Sequence, residues 1–226
     1  MAIYILNLAL AVACTWLAWR YFDLQERLQM QQIPDLTFLA GISGIIDSVE
    51  GYAEPHATDM AREARAIARH LKLDERTIAS LHIACLLHDC GMANIPREIV
   101  KQPRALNADE WFLVKTHPLL GELALRRHVP VTEDVPSIIR WHHEKWDGSG
   151  YPDHLVGDEI PLAARILAVV DAAASMKVAR SYRKALNPEQ IRVELGIQSG
   201  LHFDPVVVRA REAVCSAASS APEGRP

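Results

Sequence analysis

The stretch Trp141 to Pro152 reads W-H-H-E-K-W-D-G-S-G-Y-P and places two adjacent histidines, two acids and a glycine-rich turn side by side. Adjacent histidines on a helix project about 100° apart, which suits one metal ion gripped from two sides. The glycines that follow would let backbone approach a ligand closely. Elsewhere, His56, His88, Asp89, His117 and Asp171 lie on apolar helical patterns or at their ends. A single buried histidine is most often a hydrogen-bonded core residue, and a buried acid without a partner is costly. So many of them together call for a shared partner, and two divalent cations supply one. Five neutral imidazoles (His56, His88, His117, His142, His143) and two carboxylates (Asp89, Asp171) against two such ions leave a net charge of about +2, suited to a phosphate and a hydroxide. A carboxylate such as Asp89 can bridge both ions.

Helices must position these groups. His56, Met60, Ala64, Ile67 and Leu71 recur at i+3 or i+4 and predict a helix over 56–71 with one buried face. Ile78, Leu81, Cys85 and His88 predict a second over 74–88, leading into a turn at Gly91. Asn107 and Glu110 form an N-cap arrangement for a third helix that ends near His117-Pro118. Val135, Ile138, Ile139 and His142 make another stripe, and Ala164, Leu167, Ala168 and Asp171 one more after Pro161. The fold class read from this pattern is all-α.

The chain has 226 residues, half of them hydrophobic but only 6% aromatic, enough for one domain with a sizeable core. A net charge of −4 supplies no basic footprint for a nucleic-acid polymer. Cys14, Cys85, Cys90 and Cys215 have neither zinc-ribbon nor secreted-framework spacing, so they read as packed thiols in a reducing compartment. Residues 2–22 carry no charge before Arg20, and Trp16, Trp19 and Tyr21 gather at the far end. This predicts one transmembrane helix with an interfacial aromatic belt. Arg20 and Arg27 follow it, which leaves the remainder in the cytoplasm. The expected organisation is a membrane anchor over 1–22, a juxtamembrane connection over 23–33, a helical domain over 34–217 and a disordered tail over 218–226.

His88-Asp89, His142-His143 and Gly150-Tyr151-Pro152, in this order and spacing, resemble the HD-GYP branch of the HD superfamily of metal-dependent phosphohydrolases. L-L-H-D-C-G at 86–91, H-P-L-L-G at 117–121, R-I-L-A-V-V-D at 165–171 and H-F-D-P at 202–205 extend the likeness. The resemblance implies a helical bundle around a dinuclear centre, often of iron or manganese, that hydrolyses cyclic di-GMP to pGpG or GMP; together with the expected anchor it places the chain at the bacterial inner membrane. It assigns His56, His88, Asp89 and Asp171 to one metal, and Asp89 as bridge with His117, His142 and His143 to the other. Asp89 would thus be central to catalysis. A glutamate four residues before the first histidine supports a third metal in some relatives; here that residue is Tyr52, so two ions are expected. Arg180 and Arg183 would neutralise substrate phosphates, and Gly150, Tyr151 and Pro152 would shape a loop that admits substrate or a signalling-protein partner.

Two positions depart from the pattern. Met92 stands where H-D-x-G-K carries its lysine, and Ala174 where an aspartate commonly follows Asp171. These departures leave two alternatives to a cyclic di-GMP phosphodiesterase: a degenerate member that binds cyclic di-GMP or a partner with little turnover, and a phosphohydrolase for another nucleotide.

Overall fold

A computed structural model of the chain describes Arg20 and residues 56–102, 104–129, 131–178 and 184–220. The chain divides into two compact units, Met1–Pro34 and Asp35–Pro226, and all described residues but Arg20 belong to the second. The predicted membrane anchor apart from Arg20, the juxtamembrane connection over 23–33, Tyr52, Arg180 and Arg183 lie outside the described residues. Among the described residues no helix is long and apolar enough to cross a membrane.

The described residues form helices and no strand; Ser199 and Phe203 make one isolated bridge. In chain order the helices are α1 (Ala57–His70), α2 (Glu75–Leu87), α3 (Arg97–Val100), α4 (Ala108–Val114), α5 (His117–His128), α6 (Asp134–Arg140), α7 (Leu162–Lys177), α8 (Pro188–Ile197) and α9 (Pro205–Ser220). A 3₁₀ turn, Cys90–Asn94, follows α2. The predicted stripes are the buried faces. In α1, Met60, Ala61, Ala64, Ile67 and Ala68 are sealed from solvent, and the three alanines let α1 approach α2 and α7 closely. In α2, Ile78, Leu81, Ala84 and Cys85 complete that contact, and each fully buried Leu or Ile contributes about 1.5–3 kcal/mol. Helix α7 is apolar on nearly all sides because α1, α2, α6, α8 and α9 surround it.

Caps fix where helices begin. Asp74 accepts the Thr77 amide at 2.9 Å at the start of α2. The predicted Asn107–Glu110 pair is a full capping box, with the Glu110 amide 2.9 Å from Asn107 and the Asn107 amide 2.8 Å from Glu110. A matching box at Asn187 and Gln190 starts α8.

Three expectations change. The helix beginning at Asn107 does not run to His117: it stops at Val114, and His117 opens a new helix with Pro118 in its first turn. That position suits proline, whose missing N–H has no intrahelical partner there. Helix α6 ends at Arg140, so His142 and His143 sit in the turn beyond it and not on a helix. Helix α9 continues to Ser220, into the segment expected to be a disordered tail.

Candidate metal centre

His88 and Asp89 follow the last turn of α2, His142 and His143 the last turn of α6, and His117 the end of α4. His56 immediately precedes α1, and Asp171 lies midway along α7. The fold gathers all seven into two groups: His56, His88 and Asp171, and Asp89, His117, His142 and His143. Within each group the candidate ligand atoms lie within 4.8 Å of one another. The groups touch, since the His88 and His142 rings are 5.6 Å apart.

Asp89 stands between the groups with one carboxylate oxygen toward each. Oδ2 is 2.7 Å from His88 Nε2, while Oδ1 is 3.2 Å from His117 Nε2 and 4.0 Å from His142 Nε2. His88 Nε2 lies a further 3.9 Å from Asp171 Oδ1. The adjacent histidines, predicted to diverge as helical neighbours, are side by side in the turn, with ring centroids 3.9 Å apart and planes tilted by 39°.

Hydrogen bonds to the backbone select the tautomers. His88 Nδ1 lies 3.0 Å from the Cys85 carbonyl, His117 Nδ1 2.7 Å from that of Val114, and His142 Nδ1 2.6 Å from that of Ile139. A carbonyl only accepts, so each Nδ1 must carry the proton, and each neutral ring then keeps an Nε2 lone pair. These lone pairs face the cluster. The His142 ring is wholly buried and its Nε2 makes no hydrogen bond. Burial, reinforced by the neighbouring His117 and His88, holds the His142 pKa down to about 3, so the ring is neutral at ordinary pH. Burial and His142 likewise hold His143 well below the usual histidine range. Burial alone would raise Asp89, yet His88 and His117 in their protonated forms, His88 first, hold it well below the usual carboxylate range; a divalent cation would supply that positive charge in place of their Nε2 protons. Neutral imidazoles with inward lone pairs around an ionised carboxylate are the donor set of a divalent metal site. The residues present fit such ions.

The loop after His143 folds back on it. Glu144 is buried, and its Oε1 accepts the amides of Asp153 at 2.6 Å and His154 at 3.0 Å. The Tyr151 amide donates to the His143 carbonyl at 3.2 Å. Gly150 is obligatory here, because a Cβ would fall 2.5 Å from Glu144 Cα and 2.6 Å from its carbonyl carbon. The fold-back lays the Tyr151 ring 5.0 Å from the His143 ring, tilted by 33°. Asp153, beyond Pro152, is clamped by Arg140 Nε at 2.6 Å and Nη2 at 2.9 Å, and by Trp141 Nε1 at 2.7 Å. This clamp escaped the sequence reading because its members face each other only once the loop closes.

Met92 lies half-buried in the 3₁₀ turn, with its amide bonded to the Asp89 carbonyl at 2.9 Å. Ala174 is buried in α7 one turn after Asp171, so the position shares that residue's face. Neither metal group includes His70, His82, His154 or His202.

A family model described as HD domain matches residues 42–207. The chain is 38% identical over 154 residues to the 3'3'-cGAMP-specific phosphodiesterase 2 of Vibrio cholerae, covering 68% of this chain and 30% of that protein. It is 34% identical over 196 residues to the cyclic di-GMP phosphodiesterase response regulator RpfG of Xanthomonas campestris, covering 84% and 52%. The chain thus spans between about a third and a half of the length of these relatives. A solved cyclic GMP-AMP specific phosphodiesterase of V. cholerae superposes with a TM-score of 0.64 at 21% identity, covering 79% of this chain and 48% of that one.

Proposed function

The chain belongs to the HD-GYP branch of the HD domain family, and on that premise we propose that it is a metal-dependent phosphodiesterase that hydrolyses cyclic di-GMP to pGpG or GMP. The observation that carries this reading is Asp89: one carboxylate set between two histidine groups, with an oxygen toward each. We assign His56, His88, Asp89 and Asp171 to one divalent ion and Asp89, His117, His142 and His143 to a second, iron or manganese in each case. When bound, such a pair supplies an activated water at neutral pH and a clamp for a phosphate oxygen. The chain's own residues do the rest. Backbone carbonyls hold three imidazoles in the required tautomer, the buried rings exclude bulk water, and Tyr151 closes one wall beside His143. Arg180 and Arg183 carry the charge to neutralise phosphates, a task suited to guanidinium forks. The names of the relatives support a cyclic dinucleotide, and the apolar run over 2–22 supports attachment to the bacterial inner membrane.

Met92 and Ala174 favour one competing reading, in which the centre binds metal and nucleotide but turns over slowly and signals through a protein partner at the Gly-Tyr-Pro loop. One experiment separates them. The full chain is purified, its metal content measured, and cyclic di-GMP hydrolysis followed by chromatography beside the variants Asp89→Ala and Met92→Lys. Turnover by the natural chain that Asp89→Ala abolishes supports the phosphodiesterase. Binding without turnover, with activity appearing in Met92→Lys, supports the receptor. A metal-loaded chain that neither binds nor hydrolyses cyclic di-GMP sinks both and points to another phosphoester.

A further inference from the structure

The Tyr151 wall continues outward from the metal centre. Lys115 Nζ lies 5.5 Å from the centre of the Tyr151 ring, whose own centroid is 5.0 Å from that of His143. A cation at that distance from an aromatic face is attracted by the ring quadrupole, so the exposed Lys115 is held two ring contacts from the metal ligands. Lys115 closes α4 in helical conformation, and its amide bonds the Trp111 carbonyl at 3.0 Å. Residues four apart on a helix lie one above the other, so Trp111 and Lys115 share a face. Trp111 is 48% exposed, a large indole left open to solvent beside a charged site. The sequence of contacts from the metal ligands is therefore His143, Tyr151, Lys115, with Trp111 one helical turn before Lys115 on the same face of α4.

The geometry points to Trp111 and Lys115 as a nucleotide subsite: Lys115 takes the phosphate that is not being cleaved, and Trp111 stacks on the base beyond it. This rests on the proposed cyclic dinucleotide activity, whose substrate carries two phosphates and two bases in one ring. Only one phosphate can occupy the metal centre, so the second needs a cation displaced toward solvent, and its base needs a flat apolar surface. Base stacking on an aromatic side chain contributes about 1–3 kcal/mol, which is enough to set KM. An ammonium at the rim binds phosphate as a point charge.

The test uses the full metal-loaded chain with cyclic di-GMP and, separately, bis(p-nitrophenyl) phosphate, a diester without a nucleobase or a second phosphate. Trp111→Ala and Lys115→Ala should each raise KM for cyclic di-GMP about tenfold, with kcat falling much less. The ratio of kcat/KM for cyclic di-GMP to that for the small diester should fall about tenfold. Trp111→Phe and Lys115→Arg should restore most of it. Wild-type KM in both alanine variants overturns the subsite and leaves the phosphodiesterase reading intact. An equal loss on both substrates also overturns it, by showing that the residues only support the fold. A wild-type chain that cleaves the small diester yet neither binds nor cleaves cyclic di-GMP refutes the activity, and the subsite with it.

Discussion

Gly91→Ala tests the path from packing to metal geometry. Gly91 lies in the 3₁₀ turn just past Asp89, pressed against the start of α5. An added Cβ would overlap the His117 carbonyl oxygen and lie 2.7 Å from the Gly121 amide nitrogen and 2.8 Å from the His117 carbonyl carbon. All of these are backbone atoms, so no rotamer change relieves the overlap. Ordinary contact is about 3.5 Å, so relieving the overlap with the His117 carbonyl oxygen requires the turn and α5 to part by well over 1 Å. Metal ligands tolerate only about 0.2 Å, and the parting runs directly between Asp89 and His117, which are 3.2 Å apart. Overpacking of this kind costs about 1–3 kcal/mol, or roughly 3–10 °C in Tm for a domain of this size. The reduced freedom of the unfolded chain returns about 0.4–1 kcal/mol. Gly91→Ala should therefore fold, melt several degrees early and lose at least tenfold in metal affinity. Calorimetry and elemental analysis measure both. A variant with wild-type Tm and full metal content would refute the reasoning, because it would show that the turn moves freely relative to α5.

Other perturbations isolate single features. His117→Gln should remove the ion expected on the His142 side and Asp171→Asn the one on the His56 side, each leaving about half the metal, as elemental analysis of the purified variants would show. Asp153 is held down to about 2 against an ordinary 3.8, chiefly by the Arg140 guanidinium. The difference is worth about 2 kcal/mol, and solvent roughly halves that for a side chain one-third exposed. A depressed carboxyl stabilises the fold above pH 3.8 and loses that contribution as pH falls toward 2. Asp153→Asn should thus cost about 1 kcal/mol at pH 7, and its deficit against wild type should shrink below pH 4 in urea titrations. Asn107→Ala removes the capping box of α4 and should cost about 1 kcal/mol, read as a lower urea midpoint.

Much of this arrangement was legible in the sequence, and the parts that were not share a cause. The i, i+3 and i+4 stripes located α1, α2 and α7 because those helices bury one continuous face, or nearly all of their surface, against others. The break before His117 is hard to place from sequence because Pro118 also reads as a helix stop. Thr116-His117-Pro118 equally spells a start, and proline in a first turn is the stronger signal. The Arg140–Asp153 clamp and the buried Glu144 leave no periodic trace, since their partners lie 9 to 13 residues away across a loop. Lys115 gave no signal because its contact with Tyr151 bridges two separate elements.

The positions of the histidines follow a rule that periodicity does not express. A helix leaves its last carbonyls without intrahelical partners. His88, His117 and His142 each lie three residues beyond such a carbonyl, in the last turns of α2, α4 and α6 respectively, and each gives it an Nδ1 proton. The helix end thereby gains a hydrogen bond, the ring gains a fixed orientation, and Nε2 is left as the only lone pair. One contact serves folding and ligand geometry together, so the helices must stop where they do. Extending α6 by one turn would occupy the Ile139 carbonyl with a backbone amide and free the His142 ring to take the other tautomer. The short helices α4 and α6, seven residues each, are on this account set in length by the ligands that follow them.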